Sequence, residues 1–130
     1  MTERLLPFLL VGVGGFIGAN ARFVAARWVE GLFETRFPLG TFLINVSGSF
    51  LLGVLGGFLA QKAGPPGDAL RLALGVGFLG AFTTFSTFEY ETHALLEDGV
   101  WLAATMNVVL SLVIGLFAVR LGLLAARSWF

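Results

Sequence analysis

Four long apolar stretches alternate with short polar interruptions along this chain. They cover about 5–27, 39–61, 70–94 and 100–125. Each is close to the ~20 residues a helix needs to cross a bilayer. The interruptions are well punctuated. Between Trp28 and Pro38 stand Glu30, Glu34 and Arg36; between Lys62 and Asp68 stands Gly64-Pro65-Pro66-Gly67, a strong helix stop; Glu97-Asp98-Gly99 makes a tight third turn. Trp28, Trp101 and Trp129 fall near the span ends, where amphipathic rings prefer to sit. The pattern predicts an all-α integral membrane protein, with one four-helix transmembrane domain over residues 1–130.

Arg4 ahead of an apolar run, with Ala19-Asn20-Ala21 further on, has the outline of a cleaved secretory signal. The apolar segment continues past that point and three more spans follow, so it reads as a first membrane helix. Four spans place both termini on one side, together with Arg4, Lys62, Arg71, Arg120 and Arg127. Arg22, Arg27 and Arg36 fall on the other side. The difference is small, and the positive-inside rule gives only a weak vote for cytoplasmic termini. Such a chain is open to insertion in both orientations.

Composition sharpens the class. The chain has 130 residues, 57% hydrophobic and 12% charged, with a mean hydropathy of +0.90. A soluble domain of this size cannot hide that much apolar surface. The formal net charge is zero, which argues against a nucleic-acid partner. There is no cysteine, hence no disulfide framework or thiolate site, and His93 stands alone. These absences point away from an enzyme. Eighteen glycines lie mostly inside the spans, and Gly14/Gly18 and Gly53/Gly57 have the spacing that lets helix backbones approach closely. Gly80 differs, because it stands just before a polar run and could relax the helix there.

That run, Thr83-Thr84-Phe85-Ser86-Thr87-Phe88, places four hydroxyls and two rings where a membrane helix normally carries Leu and Val. Hydroxyls in hydrocarbon need partners, so the cluster should face protein, water or an ion. Other polar residues inside the spans are Asn20, Arg22, Thr41, Asn45, Ser47, Ser49, Thr105, Asn107 and Ser111, with Glu89 and Glu91 after the Thr run. Asn107 and Ser111 share a helix face, as do Thr41 and Asn45. Ser47, Ser49 and Thr105 read most simply as bonding their own backbone. Asn45 and Asn107 cost more to bury and are stronger candidates for a role. Phe85 and Phe88 are three apart and share a face, and a ring edge carries partial positive charge that can meet an anion. Amide, hydroxyl and ring-edge donors without an obligatory negative charge suit a small anion better than a cation. Four Gly-rich helices leave little lumen, so a conducting path calls for a homo-oligomer, most simply a two-fold dimer.

These residues resemble the CrcB/Fluc fluoride channel family. The resemblance is carried by Gly14-Gly15-Phe16-Ile17-Gly18-Ala19 with Arg22, by Gly40-Thr41-Phe42-Leu43-Ile44-Asn45 followed by Gly48-Ser49-Phe50, and by Gly77-Phe78-Leu79-Gly80-Ala81-Phe82 leading into the Thr run. One such motif per span, in order, covers nearly the whole chain. The resemblance implies an antiparallel, dual-topology homodimer in the inner cell membrane, with two fluoride pathways and a third helix broken near its middle. It implies Phe85 and Phe88 as pore-facing rings and Asn45 as a fluoride donor. Thr84, Ser86, Thr87, Asn107 and Ser111 would form the polar track, and Arg22 would attract anions at a vestibule. Glu91 falls where many members carry an acid. It also implies a structural sodium ion at the dimer centre, on the backbone carbonyls of Gly80 and Thr83.

Fluoride is small, strongly hydrated and a strong acceptor, so dehydrating it takes dense donors. Neutral donors allow it to leave as well as enter. No nucleotide-binding loop is present, which points to passive flow. The expected benefit is lower toxicity, by export of fluoride that enters as HF and ionises inside. Two other classes compete. A proton-coupled exporter would want a titratable carboxylate in mid-membrane. A non-transporting assembly subunit would use glycine and hydroxyls as glue, and leaves the ring pair unexplained.

Overall fold

The computed structural model describes residues 2–62 and 64–129, with side chains from Arg4 onward. Every regular element among them is helical. Helix α1 spans Thr2–Leu32 and α2 spans Leu39–Leu59. Helix α3 is three consecutive pieces, Pro65–Leu70, Arg71–Leu79 and Gly80–Phe82. Helix α4 spans Phe85–Glu97 and α5 spans Trp101–Trp129. Among the described residues four stretches are long and apolar enough to cross a membrane: Arg4–Leu32, Leu39–Leu59, Pro65–Glu97 and Trp101–Trp129.

Three of these run past the apolar spans at one or both ends. At 31 residues, α1 is ~46 Å long, well beyond a ~30 Å hydrocarbon core. Helix winding does not stop where hydropathy falls. Residues 28–32 contain no proline, so α1 continues to Leu32, and Pro38 then sets the chain to enter α2. The run 64–67, expected as a helix stop, lies beyond the α2 end at Leu59 and instead starts α3. Gly64 turns the backbone at φ +104°, and Pro65 and Pro66 occupy first-turn positions, where a missing N–H costs nothing. The segment Arg71–Leu79 is wound wider than an α-helix, and the Gly80 N–H reaches back to the Gly75 carbonyl. Such π-wound turns are rare and concentrate at functional sites.

Two helix pairs dominate the packing: α1 against α3, and α2 against α5. Lipid tails are as apolar as leucine, so close van der Waals fit holds membrane helices together more than apolar burial does. Glycine supplies that fit. A Cβ at Gly18 would collide with the Phe78 carbonyl, and one at Gly122 would collide with the Phe50 carbonyl. Large apolar side chains such as Phe8, Phe16, Leu102 and Leu116 point outward. The buried set is small and includes Ile44, Leu79, Ala104, Ala126 and one amide, Asn107.

Candidate functional site

Between α3 and α4 the backbone leaves the helix. Thr83 (φ −78°, ψ 157°) and Thr84 (φ −149°, ψ 117°) are extended. Their own side chains close the two helix ends. The Thr83 hydroxyl donates to the Leu79 carbonyl at 2.9 Å. Thr84 caps α4, its Oγ1 accepting the Thr87 N–H at 3.3 Å and donating to Thr87 Oγ1 at 2.9 Å.

Extended backbone at membrane depth needs partners from elsewhere. Asn45 of α2 supplies them. Its Nδ2 donates to the Thr84 carbonyl at 3.0 Å, and its Oδ1 accepts the Thr84 N–H at 2.8 Å. This clamp has two consequences. The Thr84 N–H would otherwise close a turn onto the Gly80 carbonyl, and the Thr87 N–H onto that of Thr83. Both donors are taken by side chains instead, so the two carbonyls lose their helical partners. An amide nitrogen carries two protons, so Asn45 keeps one N–H beyond the clamp.

A cavity of about 300 Å³ lies at the break, lined by Asn45, Ser49, Gly80, Thr83, Thr84 and Phe85 among others. A second, of about 260 Å³, is lined by Arg22, Glu30, Thr41, Thr84, Thr87 and Glu91 together with apolar groups. A third, of about 570 Å³, opens among residues 33–38 at the α1–α2 loop and shares Glu30, Thr41 and Glu91 with the second. Thr84 lines both of the first two. The three therefore follow one another from a polar mouth to the break. The mouth carries Glu30, Glu34 and Asp98 beside Arg36.

In the middle cavity the Thr41 hydroxyl donates to Glu91 Oε1 at 2.9 Å. Glu91 Oε2 and Arg22 Nε are buried without a hydrogen-bond partner. The family resemblance implies a vestibule role for Arg22 and an acid at Glu91, and Thr41 belongs to the donor-bearing positions; here all three line one space. The ring pair divides: Phe85 is 73% exposed and Phe88 7%, with centroids 5.9 Å apart. Ser86 is exposed and lines none of these cavities.

Asn107 and Ser111 belong to a separate relay. The Ser111 hydroxyl donates to Asn107 Oδ1 at 3.4 Å, Asn107 Nδ2 donates to Thr92 Oγ1 at 2.9 Å, and the Thr92 hydroxyl donates to the Phe88 carbonyl at 2.7 Å. Asn107 is 1% exposed. The relay ties α5 to the ring-bearing turn of α4. Thr92 was missed from sequence, although it stands four residues after Phe88, one turn along the same face.

Residues 9–123 match the family described as CrcB-like protein, Camphor Resistance (CrcB). The chain belongs to the CrcB-like family. The matched region holds the break, the Asn45 clamp, the Arg22–Glu91 cavity and the Asn107 relay. Relatives of this CrcB-like chain include the "Fluoride-specific ion channel FluC 1" of Methanosarcina acetivorans, 45% identical over 95% of this chain and 93% of that one. Another is the "Fluoride-specific ion channel FluC" of Prosthecochloris aestuarii, 44% identical over 99% of both chains. A third, of the same name, from Shewanella baltica, is 47% identical over 88% of this chain and 90% of that one.

Proposed function

We propose that this chain forms a passive fluoride-selective channel that lets cytoplasmic fluoride leave the cell across the inner membrane. The observation that carries the reading is the series of three cavities, ending at a break lined by amide and hydroxyl groups, in a chain whose relatives bear the fluoride-channel name. Fluoride trades its hydration shell for donors held in place: the second N–H of Asn45, the Thr87 hydroxyl, which is oriented by the bond it accepts from Thr84, and the ring edges of Phe85 and Phe88. The α4 N-terminus, with its first-turn N–H groups and positive dipole end, adds to them. Arg22, in the middle cavity, offsets the carboxylates near it. Asn107 and Ser111 act by holding the turn that carries Phe88, and Ser86 faces the partner protomer.

The working unit in this reading is an antiparallel homodimer with two pathways. The break leaves Gly80 and Phe85 exposed at the surface of a single chain, and hydrocarbon cannot satisfy carbonyls that have lost their helical partners. A second copy covers them. Charge supports the antiparallel arrangement. The half holding both termini carries Arg4, Lys62, Arg71, Arg120 and Arg127 against Glu3 and Asp68, a net +3. The other half carries Arg22, Arg27 and Arg36 against Glu30, Glu34, Glu89, Glu91, Glu97 and Asp98, a net −3. Parallel neighbours set like ends together; antiparallel neighbours set opposite ends together. The two freed carbonyls, of Gly80 and Thr83, fit a hard cation, which takes oxygen ligands. A sodium ion there would tie the two breaks together as a structural element.

The test is fluoride efflux from liposomes holding the purified chain, with chloride as the comparison. Rapid fluoride efflux driven by its own gradient, with chloride retained, supports the channel. Glu91 keeps a second reading in play, because a buried carboxylate on the path is what proton coupling would use. Dependence of efflux on a proton gradient, abolished in Glu91→Gln, would replace the channel by an exporter.

A further inference from the structure

We infer that the outer face of α5 at the terminal end of the bundle holds the headgroup of an anionic phospholipid, with Arg120 and Arg127 as its ligands. This rests on the membrane reading and is independent of what the chain conducts. Helix α5 packs on α2 through Ala118, Gly122 and Ala126, which are buried, with Gly122 against the Phe50 carbonyl. Arg120 stands two residues from both Ala118 and Gly122, so it points ~160–200° away from that contact. Arg127 lies seven residues on and shares the outward face. Both arginines are exposed, as are Leu116, Phe117, Leu121 and Leu124 around them.

Depth selects the ligand. Exposed Trp101 sits at the start of α5 and marks one membrane boundary. Nineteen residues later Arg120 is ~28 Å along the helix, which matches a ~30 Å hydrocarbon core. Arg120 thus reaches the opposite boundary, at phosphate level, and Arg127 lies ~10 Å further out. Among the described residues the one ion pair is His93–Glu97, at the far end of the bundle, so neither arginine has a carboxylate partner. A guanidinium facing lipid without a partner takes a phosphate in a two-point bond, while its stem lies along the apolar face. Arg4, Lys62 and Arg71 at the same end are exposed and raise the local positive potential, which favours a headgroup of net negative charge over a zwitterionic one.

The experiment uses the full chain in detergent, with phosphatidylglycerol or phosphatidylcholine added at equal concentration and bound lipid counted by intact-complex mass spectrometry. Wild type should retain phosphatidylglycerol in preference, and the same lipid should raise its thermal midpoint more than phosphatidylcholine does. The double variant R120Q/R127Q should lose about tenfold in phosphatidylglycerol affinity. R4Q/R71Q should lose much less, and inorganic phosphate at millimolar concentration should not displace the lipid. Equal retention of the two lipids by wild type overturns the proposal without recourse to any variant. So does equal loss in R4Q/R71Q, displacement by free phosphate, or loss of the dimer in R120Q/R127Q with lipid binding unchanged, which would make this face a protomer contact.

Discussion

Replacing Asn45 with leucine keeps the side-chain size and removes both arms of the clamp. The Thr84 N–H and carbonyl lose their 2.8 and 3.0 Å partners, and the extended backbone at Thr83 and Thr84 holds the N–H away from the Gly80 carbonyl that a continuous helix would offer it. A buried polar group left unsatisfied costs about 1–3 kcal/mol, and two groups are affected. Part of this is recovered because leucine needs no partner of its own, which leaves roughly 2–4 kcal/mol. For a chain of this length the loss corresponds to a thermal midpoint lower by roughly 5–15 °C. The assay is thermal unfolding of the detergent-solubilised protein, paired with fluoride efflux from liposomes. Thr84→Val is the internal control. It removes the α4 cap, worth about 1 kcal/mol, and leaves the backbone clamp in place. Asn45→Asp keeps the acceptor but sets a carboxylate oxygen against the Thr84 carbonyl, so it should cost at least as much as leucine and also repel fluoride. The reasoning fails if Asn45→Leu unfolds at the wild-type temperature with normal efflux. It fails equally if Thr84→Val is the more damaging change.

Three further outcomes are expected. Phe85→Ile and Phe88→Ile should each lower fluoride efflux while the elution position on size-exclusion chromatography stays that of wild type; Phe88→Ile should also lower stability by about 1–3 kcal/mol because that ring is buried. Normal efflux in both would remove the rings from the pathway. Thr92→Val keeps the shape but strips the buried Asn107 amide of its 2.9 Å acceptor, for a loss of about 1–3 kcal/mol read by thermal unfolding, and Asn107→Leu on that background should restore part of it. Gly122→Val drives a side chain into the Phe50 carbonyl and should abolish recovery of folded protein, whereas Gly12→Ala, which meets open space, should be neutral.

The helices were legible because hydropathy is local and bilayer thickness sets a length. Their ends were not, because residues 28–32, interrupted by Glu30 and Gly31, and the proline-bearing Pro65–Leu70 still wind. Asn45 stood out as an amide too costly to leave in hydrocarbon, but its partner is a backbone 39 residues away, and spacing along one helix says nothing about that. Asn107 and Ser111 were readable as a pair because i,i+4 spacing is itself the geometry of their bond. Thr41 and Asn45 have the same spacing but reach different partners, Glu91 and Thr84. The wide winding of Arg71–Leu79 leaves no mark that composition or periodicity reveals.

The glycine contacts also constrain how this molecule can move. Where backbone touches backbone, as at Gly18 with Phe78 and Gly122 with Phe50, no soft side chain remains to absorb a displacement. The α1–α3 pair and the α2–α5 pair therefore behave as two stiff plates. The Asn45–Thr84, Thr41–Glu91 and Asn107–Thr92 bonds stitch one plate, with the α4 that follows it, to the other. A displacement of one plate along that seam strains these three bonds together with the direct packing of α1 and α3 on α2, on the microsecond-to-millisecond scale of collective motion.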